Sequence, residues 1–429
     1  MADGQRKMKV VVTLNLGPKV MPLLYDHPDL DIVLWPHAGS SGKQWLLDNI
    51  PGADGCIVML FEKVDEEAAG PNLKVVSTMT VGYDHVDVKA LTKRRIKLGN
   101  TPDVLTEAVA DASVMLALMA GRNTKEGTDI VQQGKARTLC WSCLRRPNLQ
   151  RVCSGQVGHG TLGFIGFGRI AQATLARMVG FGYTRCLYVA RSKDPARAAD
   201  LQQTVKGRHP SLTTVQQVEL DQLARESDVL HVLAPGGPET YHIINEEFLK
   251  QMKRTAILVN TGRGTLVDSD ALAKALREGW LWGAGVDVVE GEPGITADHP
   301  LVKEPRCVVI PHIGSATWES RIGMATVAAE NLLAGLVGKP MTSEVQLPNV
   351  ELGIAVATID YRLAPEYPHP TPVNDCVDGV KWPSILTSQE ALYPGVPHGF
   401  YLTLGSLSAT KGFQVDFRAG LRKFMPGAK

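Results

Sequence analysis

Short runs of apolar residues recur along the first part of the chain, and polar or helix-like stretches separate them. Runs of this length, rich in Val and Ile, are typical of buried strands. Strands that alternate with helices form a parallel sheet covered by helices. The pattern therefore predicts an α/β domain with strands at residues 9–15, 31–35, 55–60 and 73–79.

A second series of strands starts after a long helical pattern over residues 104–121. Thr106 is the expected cap of that helix and Gly121 its expected end. A later helical stretch, residues 325–338, is expected to return to the first domain. The second series predicts another parallel sheet, with strands at 161–165, 186–190, 228–234, 256–261, 283–289 and 306–312.

The order of these elements predicts two Rossmann-like α/β domains with parallel sheets, the second inserted into the first. The expected boundaries are residues 1–104 and 313–347 for a substrate-binding domain, and residues 105–312 for a cofactor-binding domain. Residues 348–429 change abruptly in pattern and are rich in proline, so we expect an irregular C-terminal extension. The cleft between two such domains is the expected place for a small substrate.

The composition excludes several classes of protein. The chain has 429 residues, of which 44% are hydrophobic and 21% charged, as in globular proteins. A formal net charge of +1 gives no overall attraction to nucleic acid or to an anionic membrane. No apolar run reaches the roughly 18 residues that span a bilayer, and the N-terminus lacks a signal-peptide core. The seven scattered cysteines suit a reducing compartment, so a cytoplasmic protein is expected.

A glycine-rich turn follows the predicted strand at 161–165. Its pattern is G-x-G-x-x-A, formed by Gly166, Gly168 and Ala171. The first glycine permits a tight turn, the second lets a phosphate approach the backbone, and the alanine lets the helix pack on the strand. The helix N-terminus adds free N–H groups and a partial positive charge. Such turns also occur as plain loops, but the strand before and the helix and strand after it indicate a dinucleotide site.

The residues after the strand at 186–190 indicate which dinucleotide binds. About 20 residues past such a turn, an Asp or Glu normally accepts hydrogen bonds from the adenosine ribose. This chain has Arg191 and Ser192 there. An arginine and a hydroxyl bind the 2′-phosphate of NADP, which a carboxylate would repel. NADPH is therefore the expected cofactor and NADH the less favoured one, whereas the structural alternative is an exposed, solvated turn.

Three charged side chains stand at the carboxyl ends of predicted strands in the second sheet: Arg263, Glu292 and His312. Since these strand ends share one edge, we expect the three to converge. The set suits reduction of a ketone. His312 would protonate the carbonyl oxygen, Glu292 would favour the charged imidazolium, and Arg263 would bind a substrate carboxylate and polarise the carbonyl. Taken singly, each also fits a structural reading as a strand-end cap, a surface turn or a buried histidine.

Several motifs together resemble one enzyme family. The segments "VNTGRGTLVD", "GAGVDVVEGEP" and "VVIPHIGSAT" are similar to signatures of the D-isomer-specific 2-hydroxyacid dehydrogenases. The segments "LKVVSTMTVGYDHVDV", "NTPDVLTEAVAD" and "NLLAGLVGKPMTSEVQL" resemble its glyoxylate/hydroxypyruvate reductase branch. The resemblance covers roughly residues 7–347. It implies NADPH-dependent reduction of glyoxylate to glycolate and of hydroxypyruvate to D-glycerate, with the same three charged residues as the catalytic set.

The resemblance also implies further site residues and a partner. Val81 and Gly82 match the loop whose N–H groups hold the substrate carboxylate, and Ser315 lies near the same site. A homodimer is implied, built largely on the cofactor domains and the helix near 104–121. The positions that match the cofactor-lining residues of the family are Gly166, Gly168, Arg169, Ile170, Arg191, Ser192, Pro235, Thr261 and Asp287.

Two segments depart from the family pattern. Residues 62–73 look shortened by part of a helix, which predicts a looser first domain. Residues 134–160 do not resemble the usual loop, although Trp141 matches a tryptophan that covers the active site in the family. That loop also holds Cys140 and Cys143 at a zinc-ligand spacing. Without a matching second pair, an accidental cluster is favoured, and no metal site is predicted.

The C-terminal extension resembles two separated pieces of a hormone-sensitive-lipase-type α/β hydrolase, "VATIDYRLAPEYPHPTPVNDC" and "YPGVPHGFYL". In that family, the histidine matching His398 is the base of a catalytic triad. The chain has no G-x-S-x-G nucleophile elbow, and a histidine without its serine performs no acyl transfer. Residues 348–429 are therefore expected to be non-catalytic.

Two functions remain open from the sequence. The first is an NADPH-dependent reductase of small 2-oxo acids. The alternative is a catalytically impaired or non-enzymatic NAD(P)-binding sensor, similar to the corepressors that share this fold.

Overall fold

The computed structural model describes residues 6–134 and 160–347, and beyond them only the backbone of residues 354–355 and 404–405. The chain divides into two units, Met1–Pro348 and Asn349–Lys429. In the second unit, Ile354–Ala355 pairs antiparallel with Leu404–Gly405. The first unit contains two parallel sheets with helices around them, so the predicted α/β class with two Rossmann-like domains is confirmed.

The first domain is built on a five-stranded sheet of order β2-β1-β3-β4-β5, in which every neighbouring pair is parallel. β3 and β4 are buried along their whole length, as expected for the centre of a parallel sheet. The strands are β1 (Met8–Val12), β2 (Leu30–Leu34), β3 (Gly55–Val58), β4 (Val75–Thr78) and β5 (Lys97–Gly99). The helices between them are α1 (Met21–Tyr25), α2 (Lys43–Asn49) and α3 (Val88–Arg94).

The second domain is built on a seven-stranded parallel sheet of order β12-β11-β10-β9-β6-β7-β8. From β6 the chain first winds outward to β8 and then returns to the other side of β6. The strand order therefore reverses beside β6, and ligands bind at such switch points. The strands are β6 (Thr161–Ile165), β7 (Arg185–Val189), β8 (Thr214–Gln217), β9 (Val229–Val232), β10 (Ile257–Asn260), β11 (Gly283–Val286) and β12 (Cys307–Val309).

Helices cover both faces of the second sheet, and their ends follow the local sequence. In the helix Ser269–Glu278, the Asp268 side chain accepts a hydrogen bond from the Ala271 N–H, and Gly279 ends the helix at φ 73°. The helices are α4 (Thr106–Gly121), α5 (Thr124–Gln132), α6 (Arg169–Val179), α7 (Pro195–Arg208), α8 (Leu220–Glu226), α9 (Glu246–Gln251), α10 (Ser269–Glu278), α11 (Pro300–Lys303) and α12 (Trp318–Leu336).

Helix α12 returns the chain to the first domain, as the sequence predicts. Its buried Leu332 and Ala328 belong to the same hydrophobic cluster as Ile57 of β3 and Val75 of β4. The Ser77 hydroxyl donates a hydrogen bond of 2.8 Å to the Ala328 carbonyl. The predicted domain boundaries themselves stay a prediction.

Several predicted elements differ from the observed ones. The sequence pattern misses β5 and β8, which are short edge strands with polar residues. α12 begins seven residues before the predicted start at 325. Thr106 is not the cap of α4: Leu105 occupies that position, and it makes no side-chain capping bond. Most of the other predicted strands run a few residues too far, into the loops at their carboxyl ends.

The segment 62–73 contains no helix, which agrees with its shortened appearance. It nevertheless contributes Val64, Ala68, Ala69 and Leu73 to a buried hydrophobic cluster. Within the described part of the chain, no helix combines the length and apolar character needed to cross a membrane. The predicted loop covering 134–160, with Trp141 and its cysteines, lies almost entirely outside the described residues.

Candidate active site

The glycine-rich turn after β6 has the geometry of a pyrophosphate site. Gly166 adopts φ +83°, and a Cβ there would lie 2.8 Å from the Ala234 backbone. A Cβ on Gly168, by contrast, would enter open space. α6 starts directly after Gly168, and no side chain caps its first turn. Its free N–H groups therefore point at the space beside Gly168, which fits the phosphates of a dinucleotide.

Three further predicted cofactor residues lie around this turn. The Arg169 side chain is two-thirds exposed and pairs with Asp103 at 3.0 Å, from Nε to Oδ1. Ile170 packs against the hydrophobic cluster of the first domain, so it joins the two domains at the turn. Pro235 is exposed after β9, and its carbonyl accepts a hydrogen bond from the Thr240 hydroxyl.

Thr261 lies deeper than the other predicted cofactor residues. It is buried, and its hydroxyl donates to the Ser113 hydroxyl of α4 at 3.4 Å. The Ser113 hydroxyl also hydrogen-bonds Nδ1 of the fully buried His231 on β9, at 2.8 Å. The Thr261 side chain therefore belongs to a polar contact between α4 and the sheet.

The adenosine end of the site is cationic. Arg191 is exposed after β7, and its guanidinium has no ion-pair partner within the described residues. The neighbouring Lys193 pairs with Glu219 at 3.2 Å. The Ser192 carbonyl accepts a hydrogen bond of 2.7 Å from the Gln217 side chain, which fixes the turn. An unpaired guanidinium at this position is free to bind a phosphate.

His312 and Glu292 are in direct contact. Nδ1 of His312 lies 2.7 Å from Oε2 of Glu292, and both side chains are about three-quarters buried. The second oxygen of Glu292 accepts the Val289 N–H. A carboxylate only accepts hydrogen bonds, so Nδ1 of His312 carries a proton. Nε2 of His312 is then the atom left to exchange a proton with a substrate.

Asp287 holds the loop that carries His312. Its backbone carbonyl accepts the His312 N–H at 2.9 Å, and its carboxylate accepts the N–H groups of Ile313 at 2.6 Å and Gly314 at 2.9 Å. Burial raises the pKa of Asp287 above its ordinary value. Ser315 follows in the same loop and is half-buried. Asp287 therefore fixes the loop that carries His312, and its place beside a cofactor stays a prediction.

Arg263 follows β10 and reaches toward the first domain. Its Nε donates to Oδ1 of Asp84 at 2.9 Å, and its Nη1 donates to the Gly262 carbonyl at 2.9 Å. The next residue, Gly264, packs on the backbone of the loop that leads to Glu292, because a Cβ there would lie 2.2 Å from the Val289 carbonyl carbon. The ends of β10 and β11 thus bring Arg263 and Glu292 to the same edge of the sheet.

The loop Val81–Gly82 leaves its N–H groups available. The Val81 carbonyl accepts from the Asn100 side chain at 2.8 Å, and the Gly82 carbonyl accepts from the Thr80 hydroxyl at 2.6 Å. Among the described residues, no acceptor is recorded for the N–H groups of Val81 and Gly82. A Cβ on Gly82 would lie only 1.7 Å from Nη2 of Arg263. A side chain at this position would therefore displace the guanidinium from its place beside the two free amides.

A chain of hydrogen bonds with a single donor direction connects His85 to the Val81–Gly82 loop. The Thr80 hydroxyl already donates to the Gly82 carbonyl, so Thr78 must donate to Thr80 across their 2.6 Å contact. The Thr78 oxygen then accepts from Nε2 of His85 at 3.1 Å. Burial lowers the pKa of His85 to about 4, which keeps the ring neutral at neutral pH.

Sequence reasoning missed two carboxylates at this edge. Asp84 contacts Arg263, as described above. Glu62 is fully buried and accepts hydrogen bonds from the Thr13 hydroxyl at 3.1 Å and from the N–H groups of Met59 at 2.7 Å and Gly42 at 3.0 Å. It joins the carboxyl ends of β1 and β3 to the loop after β2. The only signal in the sequence is the position of both acids shortly after a predicted strand.

The comparisons with known proteins agree with this geometry. The NAD-binding domain of the D-isomer-specific 2-hydroxyacid dehydrogenases matches residues 114–314. The chain belongs to this enzyme family, because relatives well above 30% identity are covered over most of their length. A side match to the alpha/beta hydrolase fold covers residues 345–395.

The similar proteins indicate which branch of this enzyme family the chain resembles. Glyoxylate reductase of Thermococcus onnurineus is 39% identical over 333 residues, which is 76% of this chain and 92% of that protein. Human glyoxylate reductase/hydroxypyruvate reductase is 37% identical over 345 residues, or 80% of this chain and 99% of that protein. An NADPH-dependent glyoxylate/hydroxypyruvate reductase of Sinorhizobium meliloti, solved with NADP and malonate, has a TM-score of 0.62 at 28% identity; the match covers 79% of this chain and 97% of that one.

Proposed function

We propose that this protein reduces small 2-oxo acids, glyoxylate to glycolate and hydroxypyruvate to D-glycerate, with NADPH as the preferred reductant. The observation that carries the proposal is the His312–Glu292 pair, joined at 2.7 Å, on the same sheet edge as Arg263. A hydrogen-bonded acid and a fixed cation are what carbonyl reduction requires. The named relatives support the same substrate class.

Substrate binding uses the guanidinium of Arg263 and the N–H groups of Val81 and Gly82. The substrate carboxylate accepts hydrogen bonds from these donors, which fixes the orientation of the adjacent carbonyl group. The carbonyl groups of Val81 and Gly82 are hydrogen-bonded, which keeps the two amides in place before the substrate binds. Little reorganisation is therefore needed on binding.

The protein's part in the chemical step is proton transfer. A reduced nicotinamide cofactor, when bound, would supply the hydride that the carbonyl carbon accepts. As negative charge develops on the carbonyl oxygen, Nε2 of His312 donates a proton to it, and the product is the 2-hydroxy acid. Glu292 keeps Nδ1 protonated and stabilises the imidazolium before transfer. Arg263 stabilises the developing negative charge on the oxygen.

The preference for NADPH is supported by the charge at the adenosine end. Arg191 is unpaired within the described residues, whereas Lys193 beside it already has an acidic partner. A 2′-phosphate would give Arg191 that missing partner. The structure solved with NADP in the Sinorhizobium meliloti relative is in line with this choice.

A homodimer is part of the proposal. Helix α4 exposes Met115 and Leu118, which are 39% and 42% accessible. Exposed apolar side chains on one helix are typical of a subunit contact. Light scattering behind size exclusion should give twice the 46.4 kDa mass of the chain. Replacing Leu118 with a charged residue should lower the measured mass to that of the monomer.

Steady-state kinetics test the proposed function. Glyoxylate and hydroxypyruvate are each assayed with NADPH and with NADH, using the full chain. Turnover with both oxo acids and a higher kcat/KM with NADPH are expected. NADPH binding without turnover would instead favour the second candidate, a non-enzymatic sensor of the same fold. An equal kcat/KM with the two cofactors would remove the role assigned to Arg191.

A further inference from the structure

One ion pair of the candidate active site crosses between the two domains. Asp84 follows β4 of the first domain, and Arg263 follows β10 of the second. Nε of Arg263 lies 2.9 Å from Oδ1 of Asp84, and the two side chains are 25% and 43% exposed. This partial burial means that the contact is screened by solvent less than a pair on the open surface.

The hydrogen bonds of the guanidinium leave a defined set of donors free. Of its five N–H donors, one on Nε is used by Asp84 and one on Nη1 by the Gly262 carbonyl. The two on Nη2 remain, with one more on Nη1. Because Nη2 lies directly over Gly82, the free donors face the loop whose amides are also free. Asp84 therefore engages the guanidinium through Nε and leaves the donors on Nη2, with one on Nη1, for a substrate.

Asp84 is charged at neutral pH. Partial burial raises the pKa of this carboxyl, but the charge and hydrogen bond of Arg263 outweigh that effect and hold the pKa below its usual value. The neighbouring His85 is neutral at that pH, and its ring is engaged by Thr78. Arg263 is thus the cation that faces Asp84 most closely.

We propose that Asp84 is a positioning residue that holds the Arg263 guanidinium across the cleft, so that its free donors complete the carboxylate site of Val81 and Gly82. The inference rests on the proposed function in one respect: it assumes that Arg263 binds the carboxylate of the substrate. In this role Asp84 acts through Arg263, to which it is hydrogen-bonded. The contact restricts the long Arg263 side chain, which would otherwise sample many rotamers.

The test compares two variants with a matched control in the full chain. Asp84→Ala removes the acceptor, and Asp84→Asn keeps an oxygen for Nε but loses the charge. Asp65→Asn is the control, because Asp65 forms an ion pair of 2.6 Å with Lys43 wholly inside the first domain. The measurements are kcat and KM for glyoxylate with NADPH, the Kd of NADPH, and the Kd of oxalate for the NADP-loaded protein.

The expected pattern separates positioning from folding. Asp84→Ala should lower kcat/KM by roughly 10²-fold, the cost of a misplaced catalytic group. Oxalate binding should weaken by a similar factor, while the Kd of NADPH and the melting temperature stay unchanged. Asp84→Asn should recover part of the loss, and Asp65→Asn should behave like the unaltered protein.

A double-mutant cycle makes the assignment specific to Arg263. In an Arg263→Ala background, Asp84→Ala should cost almost nothing further, since there is no guanidinium left to hold. A full additional loss in that background would mean that Asp84 acts elsewhere in the fold, and the inference would be wrong. Unchanged kcat/KM and oxalate binding in Asp84→Ala would also overturn it.

The oxalate measurement distinguishes this inference from the proposed function. If the unaltered chain lacks turnover but binds oxalate in an Asp84-dependent manner, the reductase proposal fails and the positioning role stands. If it turns over glyoxylate and Asp84→Ala does so equally well, the reductase proposal stands and the positioning role fails. Absence of both turnover and oxalate binding in the unaltered chain would overturn both.

Discussion

Glu292 uses its two carboxylate oxygens for two different purposes. One accepts the Val289 N–H and so fixes the loop, and the other accepts Nδ1 of His312 at 2.7 Å. A single side chain therefore couples the backbone to the orientation of the catalytic ring. The two contacts lie on different oxygens, so both oxygens of Glu292 are in use.

The acceptor count predicts the effect of Glu292→Gln. Glutamine has one acceptor oxygen for two donors, so either the loop contact or the His312 contact is lost. We expect kcat to fall by roughly 10²-fold or more, the usual contribution of a positioned general acid. Steady-state kinetics with glyoxylate and NADPH measure the change, and an unchanged kcat would contradict the role given to Glu292.

Arg191→Asp is the corresponding residue-scale prediction for the cofactor. The change removes a charge-assisted contact to a 2′-phosphate and places a repulsive charge in its position. The ratio of kcat/KM values for NADPH and NADH should fall roughly 10- to 100-fold, as expected for a hydrogen bond to a charged group. Arg197→Asp makes the same charge change six residues further on and should leave the ratio unchanged. Equal ratios in both variants would count against a phosphate site at Arg191.

At the scale of elements, the contact of α4 with the second sheet contains a buried polar pair. His231 on β9 is fully buried, stacks on Phe164 of β6, and hydrogen-bonds Ser113 of α4. Burial lowers the pKa of His231 to about 3, so the ring is neutral in the folded protein over a wide pH range. A charged imidazolium at this place would lack solvation, which makes the packing of α4 sensitive to acid.

The sign of this pH dependence follows from the lowered pKa. An unfolded histidine titrates near pH 6.5, so below that pH the unfolded chain binds a proton that the folded chain does not. The stability contribution is complete above about pH 6.5 and is lost as the pH falls toward 3, by up to about 1.4 kcal/mol per pH unit. Denaturant unfolding between pH 7.5 and 4.5 measures the slope.

The matched variants isolate the histidine. Ser113→Ala with His231→Leu removes the titrating group together with its partner, and the slope should become shallower. His209→Asn removes a half-buried histidine at the end of α7 and should leave the slope as it was. If the double variant kept the original slope, another group would be responsible for the acid sensitivity.

Considered over the whole chain, the proposed site residues all belong to one unit. Every residue assigned to substrate, cofactor or proton transfer lies within Met1–Pro348. The two sheets of that unit supply opposite sides of the site: the first gives the Val81–Gly82 loop, and the second gives the glycine turn and the catalytic set. The function therefore depends on how these two sheets face each other.

Removal of residues 348–429 tests this division. A chain that ends at Leu347 keeps every site contact that the described residues form, and Leu347 itself packs against a buried cluster of the first domain. We expect its kcat and KM with glyoxylate and NADPH to equal those of the full chain. Gel filtration and thermal melting of both chains show whether each is folded. A folded shorter chain without activity would contradict the division.

Most strands and helices, the glycine turn and the three charged strand ends could be predicted from the sequence alone. These are local properties: hydrophobic periodicity predicts an element, a turn of φ +83° requires Gly166, and parallel strands present their carboxyl ends together. The edge strands β5 and β8 were missed because short, polar strands have little periodicity to detect. The predicted N-cap of α4 was wrong, because packing and not capping propensity decided which residue occupies that position.

Which groups meet depends on the packing of distant parts of the chain. Asp84 and Arg263 are 179 positions apart, and the residues tied together by Glu62 come from three separate strand ends. No local pattern encodes such pairs, because the distance between them depends on how two sheets are placed against each other. The sequence thus predicted His312, its partner Glu292 and Arg263, whereas the contact of Asp84 with Arg263 came only from the structure.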